Sequence, residues 1–375
     1  MAGNRVRLLR PFRGESMRLT VLNVSYPLAQ VSFGTPGGAE QVLATIDEAL
    51  VRAGHRSLVL APEGSRCSGL LLPTSALPSR LDDAARHTVQ QQHRDALERA
   101  LARFQVDVVH LHGLDFFHYL PKCEVPVIAT LHLPSSWYPL EAFQIERPQT
   151  YLVCVSRSQA QNCPPRARIE QVIQNGIPLD RFHRGRAKSS YALGLGRICP
   201  EKGFDRALDA ATAAGVPFLL AGTAFGYPAH LEYFDQEIRP RLKDGHRFLG
   251  QVGLRRKQQL LAGAKCVLLP SLAPETSSLV AMEAMACGTP VVAFPSGALP
   301  ELIDHGRTGF LVHDVKEMAE AILAADTLDP AICRSEAENR FSAKKMFQQY
   351  LQLYEEVAGG KLDQRMEHEL CALQG

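Results

Sequence analysis

The sequence predicts an α/β protein built from two doubly wound parallel sheets. The chain has 375 residues, which at roughly 150 residues per domain corresponds to two domains and a remainder. Short, almost continuously apolar segments alternate with segments of helical periodicity, the pattern of buried strands covered by helices. A polar stretch at 183–189 divides two such series, as a linker between compact units would.

The first series opens with a βαβ unit. A β-rich run at 18–23 precedes a glycine-rich turn, a helical pattern over 39–53 and a second strand at 57–61. A looser stretch at 62–85 then leads to a polar helix over about 88–104. Three further apolar runs continue the predicted sheet at 106–112, 125–131 and 150–155.

The second series repeats this pattern after the polar stretch. Its strands are predicted at 191–195, 217–221, 266–270 and 290–294. A last helix over about 343–357 carries one apolar face, which must pack on another element. We therefore predict domains at 17–182 and 183–342, a disordered basic extension at 1–16 and a C-terminal helical segment at 343–375.

Composition and charge exclude several classes of protein. Lysine and arginine number 41 against 39 acidic residues, so the net charge of +2 gives no reason to expect a nucleic acid partner. The nine cysteines are widely spaced and form no CxxC pair, which argues against a disulfide framework or a zinc site and favours a reducing cytoplasm. No apolar run approaches the ~20 residues that span a bilayer.

Two glutamates stand in the densest motif of the chain. Glu275 lies in a loop after a predicted strand, and Glu283 lies in the second half of the short helix that follows. Ser277 or Ser278 is placed to cap that helix, whose free N–H groups attract an anion. Two solvated acids would be the plain interpretation. The apolar neighbours of Glu283 favour instead a buried carboxylate that needs a partner, such as a ligand hydroxyl.

Glycines and basic residues mark two further strand-to-helix turns. Gly196 and Arg197 follow the first strand of the second domain, with Lys202 five residues further on. Arginine and lysine on either side of a turn can clasp a diphosphate, although each alone is more often a surface charge. Gly37 and Gly38 open the first helix and indicate either close approach of a ligand or a simple tight turn. Neither turn carries the GxGxxG pattern of a nicotinamide dehydrogenase.

Three histidines lie at the ends of two predicted strands: His110, His112 and His132. They lack carboxylate or cysteine companions at ligand spacing, so a metal site is not predicted. Histidines at strand ends are often simply hydrogen-bonded. The functional interpretation is a polar contact to a substrate hydroxyl.

Taken together, these motifs resemble the retaining nucleotide-sugar glycosyltransferases of the GT-B fold, specifically family 4. Glu275 and Glu283 match the E-x7-E signature of that family, and Gly196–Arg197 with Lys202–Gly203 match its phosphate clasp. The resemblance extends from about residue 18 to 355 and includes the glycine loop at 37–40. It implies two Rossmann-like domains facing a central cleft, with the last helix crossing back to the first domain.

The resemblance also implies roles for individual residues. Arg197 and Lys202 would neutralise the diphosphate of the donor, Glu275 would contact the transferred sugar, and His132 its outer hydroxyl. The remaining donor-binding positions implied by the family are Gly37, Gly38, Gly196, Val252, Ser278, Leu279, Val280 and Glu283, of which Glu283 would bind the ribose and Val252 would lie near the base. The co-substrate is then a nucleoside diphosphate sugar, with no metal and no other cofactor.

The sequence departs from the family between the two glutamates. Thr276, Ser277 and Ser278 occupy a stretch where relatives usually carry an aromatic residue and a glycine, so we expect the donor pocket to differ in shape from theirs. A nucleotide-sugar epimerase or hydrolase, or a catalytically silent binding protein, is the alternative. The acceptor is left open between a glycan, a lipid-linked glycan and a small metabolite. Location is expected in the cytoplasm, with peripheral contact at the inner membrane surface left open.

Overall fold

The computed structural model describes residues 18–76, 83–185, 187–360 and 362, so the predicted extension at 1–16 lies outside the described residues. The first sheet has seven parallel strands in the order β3-β2-β1-β4-β5-β6-β7. Their bounds are β1 Thr20–Val24, β2 Arg56–Pro62, β3 Leu70–Thr74, β4 Val108–Leu111, β5 Val127–Leu131, β6 Thr150–Cys154 and β7 Ile169–Val172. The central strands are buried on both faces, as their apolar composition predicts.

The second sheet has six parallel strands in the order β10-β9-β8-β11-β12-β13. Their bounds are β8 Ala192–Arg197, β9 Phe218–Thr223, β10 Arg247–Phe248, β11 Cys266–Leu269, β12 Val291–Ala293 and β13 Gly309–Leu311. Strands and helical segments alternate along most of the chain, with β3 following β2 directly, and this is the doubly wound arrangement. The prediction of two parallel-sheet α/β domains is confirmed.

Helices cover both sheets. Their bounds are α1 Gly38–Arg52, α2 Asp83–Arg103, α3 Arg157–Gln161, α4 Phe204–Ala213, α5 Pro228–Tyr233, α6 Leu254–Gly263, α7 Leu279–Ala286, α8 Leu299–Leu302, α9 Val315–Ala324, α10 Pro330–Arg340 and α11 Ala343–Ala358. Within the described residues, none of them combines the length and the hydrophobicity that crossing a bilayer requires.

The last helix, α11, returns from the second domain to the first. Its buried face packs against α1 and the first sheet, with Tyr350 and Tyr354 fully enclosed. The Tyr354 hydroxyl lies 2.7 Å from Nδ1 of His110, and the Tyr350 hydroxyl lies 3.0 Å from Oγ1 of Thr130. The apolar face predicted over 343–357 is therefore buried on the first domain, where the family resemblance sends it.

The structure differs from the sequence expectation in the stretch at 62–85. This stretch was expected to be loose, but it contains β3 and the beginning of α2. The residues of β3 are only partly buried and include Pro73, because β3 is an edge strand. An edge strand of this kind lacks the continuous apolar run that marks the central strands. The short strands β7, β10 and β13 escaped prediction for a similar reason.

Candidate active site

The two domains meet across a cleft at the carboxyl ends of their strands, where ligands of open α/β sheets bind. Thr276, in the loop 270–278 after β11, donates its hydroxyl hydrogen bond to the carbonyl oxygen of His132 at 2.8 Å. Glu301 of the second domain accepts hydrogen bonds from the backbone N–H groups of Arg157 (3.1 Å) and Ser158 (2.6 Å) in the first. These contacts bring the predicted residues of both domains to one site.

Glu275 is held by two groups on one of its oxygens. Lys202 Nζ lies 2.5 Å from Oε1, and the Ser271 hydroxyl donates to the same atom at 2.5 Å. The glutamate side chain is 11% exposed. Burial would raise the pKa of Glu275, but the charge and hydrogen bond of Lys202, the bond from Ser271 and the charge of Arg197 together hold it below its ordinary value. Glu275 is therefore an ionised carboxylate.

The backbone of Glu275 is held as tightly as its side chain. Its carbonyl oxygen accepts the N–H of Ala298 at 2.7 Å. Gly297 adopts φ of 59°, and a Cβ at that position would lie 2.2 Å from the same carbonyl oxygen. Only glycine allows this approach. The 297–301 segment, which follows Glu283 along the chain, thus supports the position of Glu275.

The basic pair is built around a short turn. Gly196 and Arg197 end β8, and Lys202 lies in a 3-10 turn at 200–202. Gly203 closes this turn with φ of 62°, and a Cβ there would lie 2.3 Å from the carbonyl oxygen of Pro270. The close fit of Gly203 against the end of β11 is what brings the Lys202 ammonium to Glu275. The structure thus joins two motifs that lie 73 residues apart.

Glu283 lies in α7 and is almost fully buried. Ser278 is the N-cap of this helix and accepts the N–H of Ala281, as one of the two predicted serines should. Oε1 of Glu283 lies 2.6 Å from Lys257 Nζ, whereas its Oε2 is buried with no partner among the described residues. The sequence predicted that this buried carboxylate needs a partner. Lys257 is that partner for Oε1, and Oε2 is available to a ligand.

The remaining donor-binding candidates line the junction between the domains. Leu279 packs into the cores of both domains, and Val280 and Val252 pack partly against the second. Gly37 is the N-cap of α1, and a Cβ at Gly38 would lie 3.8 Å from Cδ1 of Leu279. The structure therefore places the glycine turn of the first domain opposite the beginning of α7.

Glu40, in the first turn of α1, also faces this junction. Burial raises its pKa, against smaller opposing effects of its own backbone N–H and of the Arg197 charge in the second domain. The carboxylate curls back over Gly37, since a Cβ there would lie 1.8 Å from Oε2 of Glu40. The absence of a side chain at Gly37 thus gives this carboxylate its room.

His132 follows β5 and faces the cleft from the first domain. Its Nε2 lies 3.0 Å from Nδ1 of His112, and its backbone N–H donates to the Tyr138 hydroxyl at 3.0 Å. Burial lowers the pKa of His132 to about 3, and burial with the neighbouring imidazoles lowers the pKa of His110 and His112 as well. The three rings are therefore neutral at pH 7 and suited to hydrogen bonding rather than to charge.

The family of the chain is shown by its matches to two family models. Residues 36–181 match the family model described as Glycosyltransferase Family 4, and residues 190–325 match the model described as Glycosyl transferases group 1. The chain belongs to glycosyltransferase family 4. The resemblance stated from the motifs is thereby confirmed, and the protein is a transferase.

Relatives of this glycosyltransferase agree with the assignment. It is 27% identical to the phosphatidyl-myo-inositol mannosyltransferase of Mycobacterium leprae (strain TN), over 87% of this chain and 95% of that protein. It is 37% identical to the D-inositol 3-phosphate glycosyltransferase of Mycobacterium avium (strain 104), over 42% of this chain and 40% of that protein. Among solved structures, AviGT4, a glycosyltransferase involved in avilamycin A biosynthesis, aligns with a TM-score of 0.70 at 26% identity, over 91% of this chain and 98% of that chain. The GT-B fold is confirmed.

One group of potential metal ligands lies beside the basic pair of this glycosyltransferase. Donor atoms of Cys199, Glu201 and His230 lie within 4.8 Å of one another. Burial raises the pKa of the Cys199 thiol to about 11, whereas a metal ligand is a thiolate. The positive charge of Arg197 acts on all three groups. This chemistry does not favour a resident cation, and metal independence stays a prediction.

Sequence reasoning missed three residues of the glycosyltransferase site. Lys257 lies in a basic run, 255–257, that has the pattern of a solvated helix face. Ser271 follows β11 without any distinguishing spacing. Glu40 was quoted within the glycine motif but without a role. Lys257 is brought to the site by a contact between two separate helices, whereas Ser271 acts within the loop that holds Glu275, four residues away, where a single serine has no distinctive pattern.

Proposed function

We propose that the glycosyltransferase moves a hexose-type sugar from a nucleoside diphosphate sugar to an acceptor hydroxyl, with retention of configuration and without a metal. The observation that carries this proposal is the grouping of Arg197, Lys202 and Glu275. Two cations, of which Lys202 is paired with the buried carboxylate of Glu275, lie together at the carboxyl ends of β8 and β11. This arrangement suits a substrate whose diphosphate is adjacent to a hydroxylated sugar.

The cations and the beginning of α7 would act on the leaving group. Arg197 and Lys202 would neutralise the diphosphate as negative charge builds on it, which is typically the largest catalytic effect. The N–H groups of Leu279 and Val280 lie in the first turn of α7 and are free of intrahelical partners. They would add to the positive electrostatic potential that stabilises the diphosphate. The buried hydroxyl of Ser277 has no partner among the described residues and lies beside them.

The two glutamates would bind the donor at different points. Oε1 of Glu275 is occupied by Lys202 and Ser271, which leaves Oε2 to accept hydrogen bonds from sugar hydroxyls. The unpartnered Oε2 of Glu283 would accept from the ribose hydroxyls, with the base near Val252. Neutral His132 would contact the outer hydroxyl of the sugar.

Retention would follow from reaction on one face of the sugar. The bond between the anomeric carbon and the diphosphate oxygen breaks, and the bond to the acceptor oxygen forms on the same side. The departing phosphate oxygen takes the proton of the acceptor hydroxyl. The charges needed for this step lie on Arg197 and Lys202, so no separate base is required on the acceptor side.

The names of two relatives suggest which acceptors to test. Both the mannosyltransferase and the D-inositol 3-phosphate enzyme are named for inositol compounds. We therefore propose a polyol acceptor, free or carried by a lipid, and in the second case action at the inner membrane surface. No described helix is suited to spanning that membrane.

The decisive experiment is a binding and turnover panel. Binding of UDP, GDP and ADP is measured by isothermal titration, followed by turnover of their mannose, glucose and N-acetylglucosamine conjugates with inositol, D-inositol 3-phosphate and phosphatidylinositol. One nucleotide is expected to bind clearly best, and its sugar to be transferred. Consumption of the donor without an acceptor would identify a hydrolase or epimerase instead. Binding without turnover would identify a silent binding protein, and binding of no nucleotide would overturn the proposal.

A further inference from the structure

Lys257 forms a buried ion pair that the proposed chemistry has not used. Its Nζ lies 2.6 Å from Oε1 of Glu283, with the two side chains 16% and 4% exposed. The ammonium also lies 5.6 Å from the centroid of the Phe182 ring, which stabilises a cation at that point. Lys257 is therefore fixed from two sides, against the carboxylate and over the aromatic face.

The second oxygen of Glu283 is in a different situation. Oε2 is buried and accepts no hydrogen bond from the described residues. Buried carboxylate oxygens are ordinarily paired, and leaving one unpaired costs free energy. Glu283 and Lys257 line a cavity of about 20 Å³ to which the first domain contributes Phe33 and Phe182, the latter at its end. That volume accommodates a group about the size of one hydroxyl or water.

An ion pair of this kind is poorly explained by stability alone. Removing two charges from water is costly, and apolar residues of similar volume would hold α6 against α7 equally well. A lysine has one advantage over an apolar residue. It fixes Oε1 of Glu283 by a charged hydrogen bond, so that only Oε2 is presented to a donor hydrogen.

We propose that Lys257 is a positioning residue for nucleotide recognition, which holds the Glu283 carboxylate so that Oε2 accepts from the ribose hydroxyls. This inference rests on the proposed function, in which Glu283 binds the ribose. Lys257 itself does not touch the reacting atoms. Its effect is on which nucleotides bind, and the discrimination between ribose and deoxyribose is the property to measure.

The test compares ribonucleotides with deoxyribonucleotides. UDP, GDP, ADP and their 2′-deoxy counterparts are titrated into the unmodified protein and into the Lys257→Met, Lys257→Gln, Lys257→Arg and Glu283→Gln variants. The unmodified protein is expected to prefer the ribonucleotide. Lys257→Met and Lys257→Gln are expected to lose about tenfold to a hundredfold in affinity for the ribonucleotide and little for the deoxy form. Lys257→Arg should restore much of the preference.

A double variant separates positioning from an independent contact. If Lys257 acts through Glu283, Lys257→Met combined with Glu283→Gln should bind the ribonucleotide no worse than Glu283→Gln alone. Additive losses would show that Lys257 has its own contact and would contradict the inference. The matched control is Lys265→Met, because Lys265 is also mostly buried and paired with an acid, Asp326, but precedes β11 at the opposite end of the sheet.

The possible outcomes are distinguishable. Lys257→Met and Lys257→Gln could keep the preference of the unmodified protein for ribose and show only a lower unfolding temperature. This result would contradict the inference and would show that the ion pair of Lys257 contributes to stability alone. Equal binding of ribo and deoxy forms by the unmodified protein would remove the ribose role of Glu283 and with it this inference. Binding of no nucleotide by the unmodified protein would overturn the proposed function itself.

Discussion

The Thr276 hydroxyl donates to the carbonyl oxygen of His132 at 2.8 Å, so a side chain of the second domain fixes the backbone of the first. Thr276 is the immediate neighbour of Glu275, and His132 directly follows β5 of the first domain. Two of the predicted catalytic residues are therefore kept in register by one hydrogen bond across the cleft. The bond uses a threonine that is absent from the usual family pattern.

Thr276→Val tests this link. The substitution keeps the shape of the side chain but removes the hydroxyl, and the loss of one neutral hydrogen bond is worth about 1 kcal/mol, or roughly fivefold in kcat/KM. Steady-state kinetics with the best donor measure the effect. Thr276→Ser retains the hydroxyl and should stay close to the parental rate. Unchanged kinetics in Thr276→Val would show that the contact does not contribute to the active arrangement.

Lys202→Ala and Glu283→Ala are expected to abolish turnover while leaving the fold intact. Lys202→Ala removes a charge that would face the leaving group in the proposed function and takes from Glu275 the lysine it is paired with, which should lower kcat by about 10²–10³. Initial rates and thermal unfolding are measured together. The exposed Lys243→Ala is a suitable control. If both variants retained normal transfer rates, the assignment of the site would be wrong.

Ser271→Ala should move the acid limb of the pH–rate profile to higher pH. Ser271 donates to the charged form of Glu275 and so lowers the pKa of that carboxyl. Without this donor, Glu275 is protonated at a higher pH, so activity is lost earlier as the pH falls. A bond worth about 1 kcal/mol corresponds to about 0.7 pH unit. An unshifted acid limb would exclude Glu275 as the group that controls it.

The buried histidines predict a loss of stability in acid. Burial lowers the pKa of His132 to about 3 and lowers that of His110 and His112, whereas each titrates near 6.5 in the unfolded chain. Below pH 6.5 the unfolded state therefore binds protons that the folded state excludes. Each histidine then removes about 1.4 kcal/mol of unfolding free energy per pH unit, in the case of His132 down to a pH of about 3.

Urea unfolding between pH 7.5 and 5 measures this dependence. His112→Gln should flatten the curve by the contribution of one histidine. The exposed His313→Gln should leave its slope unchanged. Parallel curves for the parent and His112→Gln would mean that the imidazole takes up a proton in the folded state.

Ser277→Ala tests the departure from the family pattern. The Ser277 hydroxyl is buried without a partner among the described residues, so removing it should cost the folded protein nothing. If the hydroxyl meets the donor, KM for the nucleotide sugar should rise several-fold at an unchanged unfolding temperature. Ser277→Thr, which keeps the hydroxyl, provides the comparison. A parental KM in Ser277→Ala would remove Ser277 from the donor site.

The fold was largely predictable because its central strands are buried on both faces. The segments at 57–61 and 266–270 correspond to β2 and β11 within two residues. The edge strand β3 was missed because partial exposure and Pro73 remove the apolar signal. The pattern of apolar residues along an element depends on which of its side chains are buried. An element with little burial therefore shows no clear apolar pattern in the sequence.

The site was predictable only where a motif concentrates its residues. Glu275, Lys202 and Arg197 lie together as the family pattern implies, and Ser278 caps α7 as one of two candidates. The prediction of a ligand hydroxyl as the partner of Glu283 was incomplete, because Lys257 already binds one oxygen of this carboxylate. Lys257 could not be found in advance, because it reaches Glu283 through a contact between two helices, and Ser271, although only four residues from Glu275, sits in no recognisable pattern.

The path of α11 determines how such enzymes can be recombined. Tyr350 and Tyr354 complete the polar interior of the first domain by bonding to Thr130 and His110, although they follow the whole second domain in sequence. A chimaera that exchanges donor halves between relatives therefore needs two splice points, one near 183 and one near 342. A single crossover in the linker would pair each first domain with a foreign final helix.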